Sequence, residues 1–162
     1  MNGAVGWLGW LEATPLSLAM RSSLWLYPIV EIFHIVGFVM LVGAVAMFDL
    51  RVLGWSRSLP VEGLAKHLLP WSAASLVLII PAGLMMFSAH PHDFIDNRVF
   101  LLKLALIAAA GINAIWFHVG VYRSVAQWNG DIRAPLPAQL HALASLAIWV
   151  AVICCGRLLA YT

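Results

Sequence analysis

Four long apolar stretches run through the sequence, and they constrain the fold more than any motif does. A helix needs roughly 20 residues to cross the hydrocarbon core of a bilayer, and each stretch is at least that long. Hydrophobic residues make up 63% of the chain and charged residues 10%, which is too apolar for a soluble globular surface. We predict an all-α fold in a single transmembrane domain, residues 1–162, built as an integral membrane up-and-down four-helix bundle. The predicted spans are 24–48, 63–89, 99–121 and 136–159.

Local signals mark several helix ends. Residues 7–20 are rich in Trp and Leu, and Thr14 stands before a proline, which predicts a short N-terminal helix lying in the membrane interface. Asn97 lies just before the third span as a capping residue. Pro70 and Pro81 fall inside the second span and should each bend it, because proline removes a helical hydrogen bond.

The net charge and the positions of the basic residues indicate the partners and the membrane orientation of the bundle. The net charge is +2 with no basic run, so we expect no nucleic-acid partner. Basic residues slightly favour the first and third loops, which predicts both termini on the periplasmic side of a bacterial inner membrane. The lipid bilayer is the expected partner, and a redox partner, a membrane subunit or a second copy of the chain stays open.

One histidine lies in each span, and the estimated depth in the membrane divides the four into two groups. At a rise of about 1.5 Å per residue, His67, His118 and His141 lie roughly 10 to 16 Å from the midplane, on the side of the first and third loops. His34 lies near the midplane. Imidazoles at matched depth on diagonal helices suit a b-type haem, whose iron takes one ligand on each face.

We therefore predict His67 and His141 as axial haem ligands, with His118 as a competing ligand or a propionate partner. On a helical wheel, His67 shares a face with Trp71 and His141 shares one with Ser145, and both faces can point inward. The alternative is that these histidines lie at the interface because they are amphipathic.

A second group of polar residues surrounds the first span. Glu31 and His34 are three residues apart and so share a helical face. An uncompensated charge at mid-helix costs about 3 kcal/mol, so Glu31 should face the bundle and meet a cation. The predicted polar cluster is Glu31, His34, Lys103, Asn113 and Arg157. It predicts either a buried ion pair that fixes helix register, or a proton relay, a propionate or quinone clamp, or part of a metal site.

Sulfur and imidazole also occur together, which suits copper. The predicted copper ligands are His34, Met85, Met86, His90, His92, Cys154 and Cys155. Methionines also fill gaps in helix packing, and isolated cysteines are ordinary core residues, so packing alone is the alternative interpretation.

Two segments carry a family resemblance. The runs LWLYPIVEIFHIVG at 24–37 and FDLRVLG at 48–54 resemble an uncharacterised family of small four-helix bacterial inner-membrane proteins, over nearly the whole chain. That family has no assigned activity to carry over. More distantly, NRVFLLK at 97–103, continuing to Asn113, resembles a helix of copper resistance protein D, a family with more spans and a cytochrome-b-like arrangement. This resemblance implies roles for Lys103 and Asn113 in copper handling or haem redox chemistry.

No nucleophile elbow, phosphate-binding glycine loop or pair of carboxylates predicts a hydrolase or transferase, and we assign no catalytic residue. The leading hypothesis is a membrane haem-b protein that transfers electrons. A copper-handling membrane protein is the first alternative. A non-catalytic membrane subunit is the second.

Overall fold

The computed structural model describes residues 3–161, and the side chains from residue 6 onward. Seven α-helices and one 3₁₀ helix, Val121–Gln127, form this part of the chain. Four of the helices have the length and apolar composition of membrane spans, so the chain is a multi-pass membrane protein and the predicted four-helix bundle is confirmed. The α-helices are α1 (Gly3–Glu12), α2 (Pro15–Ser22), α3 (Leu26–Val52), α4 (Val61–Ala89), α5 (Pro91–Asp96), α6 (Arg98–Val119) and α7 (Leu136–Leu158).

Side-chain caps begin two of the helices. The Thr14 hydroxyl accepts a hydrogen bond from Ser17 N and starts α2, which splits the predicted N-terminal helix into α1 and α2. The Asn97 side chain accepts from the first free N–H groups of α6, as predicted. Pro70 and Pro81 both lie within α4.

The four spans are arranged as two hairpins. Helix α3 packs along α4, and α6 packs along α7. Helix α3 also contacts α7, which joins the hairpins. Within residues 3–161, the backbone of α4 does not come within 8 Å of α6 or α7, measured between Cα atoms, so the second span meets the third and fourth through side chains alone. We call the membrane side of the α3 N-terminus and the α7 C-terminus the terminal side, and the opposite one the loop side.

Small residues bring α3 and α4 together. A β-carbon added at Gly37 would lie 2.9 Å from Ile79 Cγ1 and 3.2 Å from the Ser75 carbonyl oxygen, so the helices approach closely at this point. The buried face of α4 carries Ala65, Ser72, Ser75 and Ala82. Close approach through small residues gains dispersion energy, which lipid-facing helices need because burial from lipid supplies little hydrophobic driving force.

On the loop side, a buried apolar core joins the two hairpins. It contains Phe48, Val52, Val61, Ala65, Phe117, Val125, Trp128, Ala134, Ala138 and Ala142. On the terminal side α2 and α5 pack beside the spans: Ser17 Oγ on α2 donates to the Ser88 carbonyl of α4 at 2.7 Å, and α5 lies against α6. The packing therefore leaves space between the hairpins on the terminal side.

Candidate functional site

Two adjoining cavities occupy the space between the hairpins. One, about 750 Å³, is bordered by α3 and α7, and we call it the polar compartment because Glu31, His34, Lys103 and Arg157 line it. The other, about 510 Å³, lies between α4 and α6, and we call it the apolar compartment because most of its lining is aliphatic or aromatic. Both volumes are in the range of small-molecule sites. The two share His34, Phe38, Met86, Phe94, Lys103 and Leu159.

His34 lies where the compartments meet, and its ring is held by α4. Its Nδ1 is 2.9 Å from the Ile79 carbonyl oxygen. Because a carbonyl oxygen only accepts, Nδ1 carries the proton and Nε2 has the free lone pair. Gly83 makes room for the ring: a β-carbon there would lie 3.2 Å from His34 Cε1. Nε2 makes no hydrogen bond to any residue that the structure describes.

The charged groups of the polar compartment are not paired with one another. Within residues 3–161 the one ion pair under 4 Å joins His90 and Asp93, so the expected pairing of Glu31 with a cation within the bundle is not formed. Lys103 is half-buried, with Nζ 3.8 Å from the β-carbon position of Gly156. The Arg157 guanidinium lies 4.7 Å from the ring centre of Tyr161 and donates to its hydroxyl. The compartment is therefore lined by two basic side chains, neither of which forms an ion pair with Glu31.

Aromatic rings line the apolar compartment. Phe94 on α5 lies between Phe87 on α4 and Phe100 on α6, with ring centres 6.1 and 5.0 Å away. Phe38 meets Trp149 edge to face at 5.9 Å. Phe87 and Phe100 also stack on each other, with ring centres 6.0 Å apart. Ring contacts of this kind add to burial, and here they join α4 to α6 through side chains. The result is a preformed apolar chamber with His34 and Lys103 at its border.

The structure separates the histidines predicted to bind haem. His67 is exposed, and so are Trp71 and Leu78 on the same face of α4. The expectation that this face points inward is therefore wrong, because the small-residue face of α4 packs against α3 instead. His118 is exposed and binds the Ala114 carbonyl of its own helix at 2.8 Å.

His141 does face the bundle interior, as do Ser145, Val152 and Cys155 along α7. Its partner is Asn113 on α6, whose side chain lies 2.8 Å from His141 Nδ1. In the described part of the chain the Cα atoms of α4 and α7 stay more than 8 Å apart, and His67 is exposed, so His141 is not brought to His67. Asn113 in turn is removed from the predicted polar cluster, while Glu31, His34, Lys103 and Arg157 come together at one cavity.

The residues predicted to bind copper are dispersed. His34 and Met86 line both compartments, whereas Met85 packs against the core of Met20, Val30, Ala82 and Ala89. His90 is exposed, His92 is half-buried in α5, Cys154 is exposed and Cys155 is buried. Among the residues described, no three His, Cys, Asp or Glu side chains form a group that could hold a metal ion.

Comparison with known proteins places the chain in a family. Residues 9–162 match a family model described as a family of unknown function, DUF6644. The chain belongs to this family. Membership agrees with the predicted uncharacterised family, whereas the resemblance to copper resistance protein D is not shown. No curated protein and no solved structure gives a significant match.

Two buried charged residues of this family member fall where the sequence suggested a span end. The sequence places Asp49 and Arg51 just beyond the first span, but α3 continues to Val52 and buries both side chains. Asp49 is 6% exposed and faces Ser145 on α7. The sequence did carry a signal that these two residues are buried, because both stand in the apolar run FDLRVLG and a charge inside an apolar helix requires a specific environment.

Outside the spans, Tyr122 borders the loop-side core. Burial raises the pKa of its hydroxyl above 10.0, and the negative charge of Glu62 raises it further. Its ring lies 5.8 Å from that of Phe117 and 5.3 Å from that of His118.

Proposed function

We propose that this membrane protein binds haem b in the cavity between its hairpins, with His34 as the residue that would hold the iron, and that it transfers electrons within the membrane. The observation that carries the proposal is the hydrogen bond between His34 Nδ1 and the Ile79 carbonyl. Metal-binding histidines characteristically donate their second N–H to such an acceptor, which fixes the ring and leaves the other nitrogen for the metal. When bound, the haem would supply one-electron chemistry.

The remaining residues of the cavity suit the other parts of a haem. The flat apolar macrocycle needs an apolar chamber, which the rings of Phe38, Phe94 and Trp149 provide. Its propionates need cations, and Lys103 and Arg157 face the polar compartment without a carboxylate partner within 4 Å. Ammonium and guanidinium groups bind such carboxylates by charge-assisted hydrogen bonds.

This assignment moves the haem away from the pair His67 and His141. His67 lies on the exposed face of α4, and His141 lines neither compartment of the cavity. Copper is supported less, because only His34 and Met86 of the predicted ligands reach the cavity.

The proposal is tested by purifying the protein in detergent, titrating it with haem b, and recording the visible spectrum together with bound iron and copper. We expect one haem per chain and a low-spin or histidine-type spectrum that His34→Ala abolishes. Lys103→Met and Arg157→Gln should each weaken haem binding by roughly tenfold, the value of one charge-assisted hydrogen bond.

His67→Ala is the matched control, since it removes an exposed histidine from the helix that also supplies Ile79. We expect it to leave the spectrum unchanged. Loss of haem binding in His67→Ala and His141→Ala with retention in His34→Ala would favour the pair predicted from sequence. A chain that takes up no haem, or that binds copper in its place, would overturn the proposal.

A further inference from the structure

Asp49 is a buried carboxyl group that the proposed haem site does not use. It is the one buried side chain among the seven Asp and Glu residues of the chain, all of which lie in the described part. Its Oδ2 has no hydrogen-bond partner there, and it is the one buried side-chain nitrogen or oxygen atom in this condition. An ionised carboxylate without a partner is costly in such surroundings.

The neighbours of Asp49 supply a hydroxyl but no positive charge. The Ser145 hydroxyl on α7 is the polar group that interacts with the carboxyl, and Phe48, Val52 and Ala142, which neighbour Asp49 or Ser145 along their helices, belong to the apolar core. Arg51, two residues along α3, directs its guanidinium to loop carbonyls instead. Among the residues that the structure describes, no positive charge therefore neutralises the carboxylate.

The other helices around Asp49 add no charged group. On α4 the acidic residue Glu62 binds Asn129, and Lys66 and His67 are exposed. On α7 His141 lies one turn before Ser145, and its Nδ1 is committed to Asn113 on α6. The other titratable groups of α7, Cys154, Cys155 and Arg157, lie at least nine residues beyond Ser145. A metal cation such as sodium would require several further oxygen ligands, whereas a proton requires one carboxylate oxygen.

We propose that Asp49 and Ser145 form a proton-binding site between α3 and α7. A proton from water on the loop side adds to a carboxylate oxygen of Asp49, and on release it returns to water, so no other reagent is consumed. Ser145 positions the carboxyl and orients the bound proton. The site is independent of haem, because Asp49 lines neither compartment of the cavity.

Infrared spectroscopy of haem-free protein in detergent at neutral pH tests the proposal. We expect the carbonyl stretching band of a protonated carboxylic acid, with a shift in D₂O and loss on alkaline titration. Labelling aspartate with carbon-13 at the carboxyl should shift this band. Since Asp93, Asp96 and Asp131 are exposed, the shifted band reports Asp49.

Substitutions assign the band. Asp49→Asn should remove it, and Glu31→Gln, which changes the other carboxyl of α3, should leave it in place. Ser145→Ala should displace its frequency by removing the hydrogen bond. A neutral-pH spectrum without an aspartate-derived acid band would overturn the proposal, and so would a band that persists in Asp49→Asn. If Asp49→Asn does not fold, the labelled wild type and Ser145→Ala decide the question: an unshifted band in both contradicts a proton on Asp49.

Discussion

Asn113 on α6 and His141 on α7 are joined by two hydrogen bonds. Asn113 Nδ2 donates to the backbone carbonyl of His141 at 3.0 Å, and His141 Nδ1 donates to Asn113 Oδ1 at 2.8 Å. Because the amide nitrogen is committed to a backbone carbonyl, the amide oxygen must accept, and the tautomer of His141 is fixed. The pair holds α6 and α7 in one register.

We expect Asn113→Ala and His141→Ala to lower the free energy of unfolding, and their combination to cost less than the sum. Coupling across one interhelical hydrogen bond in a membrane protein is about 0.6 to 1.7 kcal/mol. A double-mutant cycle by unfolding in mixed detergent micelles measures it, with exposed His118→Ala as the control. Strict additivity would show that the side-chain hydrogen bond between them contributes nothing to stability.

Gly37→Ala should destabilise the α3–α4 hairpin by about 1 to 3 kcal/mol, because its β-carbon would lie 2.9 Å from Ile79 Cγ1 and force the helices apart. Gly43→Ala on the same helix is the matched control, since nothing lies within 4 Å of its β-carbon position. Thermal unfolding followed by circular dichroism should show a lower midpoint for Gly37→Ala. Equal midpoints for the two variants would contradict the close approach.

We expect Arg51 to stabilise the loops on the loop side of the bundle. Its guanidinium donates to the carbonyls of Leu59 at 2.6 Å, Gly130 at 2.7 Å and Arg57 at 2.9 Å. Arg51→Met leaves these carbonyls without this donor and should cost about 1 to 3 kcal/mol. Arg51→Lys should rescue little, because an ammonium lacks the planar fork. Hydrogen exchange should show faster exchange in residues 53–60, while Arg57→Gln keeps the wild-type pattern.

Gly83→Ala tests the positioning of His34. The new β-carbon would lie 3.2 Å from His34 Cε1 and 3.5 Å from Nδ1, so the ring must move by a few tenths of an ångström. We expect haem affinity to fall by about tenfold, as when a supporting group of a metal ligand is disturbed. Gly111→Ala, with open space at its β-carbon, should bind haem like the wild type. Equal titrations for both variants would count against His34 as the ligand.

The raised pKa of the Tyr122 hydroxyl predicts that the protein loses stability at alkaline pH. Burial, and then the charge of Glu62, raise the pKa of its hydroxyl in the folded protein above 10.0. The folded state therefore holds this proton more tightly than the unfolded state, so its contribution to stability is present below pH 10 and is lost as the pH rises through the folded value. Tyr122→Phe should flatten the alkaline decline in melting temperature, and exposed Tyr161→Phe should not. Parallel declines in all three proteins would exclude Tyr122 as the cause.

Sequence alone predicted the spans to within a few residues, because length and apolar composition suffice for a helix that crosses a bilayer. The caps at Thr14 and Asn97 were also predictable, since a short polar side chain before a helix satisfies free N–H groups locally. The grouping of Glu31, His34, Lys103 and Arg157 was predicted from depth and charge. These signals depend on residues close in sequence or on position along a helix.

The direction of each helical face required the tertiary structure. The face of α4 that bears His67 is as apolar as the face that packs on α3, and lipid solvates either one equally well. The face that bears Ala65, Ser72 and Ser75 packs against α3, because its small side chains allow α3 to approach closely.

What the sequence by itself determined is therefore the class of the protein, the number of its membrane helices and the residues that cannot face lipid alone. Only the tertiary structure decided the partners of those residues. In the tertiary structure His141 is hydrogen-bonded to Asn113, and Asp49 lies beside Ser145. The Nε2 atom of His34 makes no hydrogen bond within the described residues and lies beside a cavity. The reason is physical: hydropathy sets depth in a bilayer, whereas the close fit of side chains sets which helices meet.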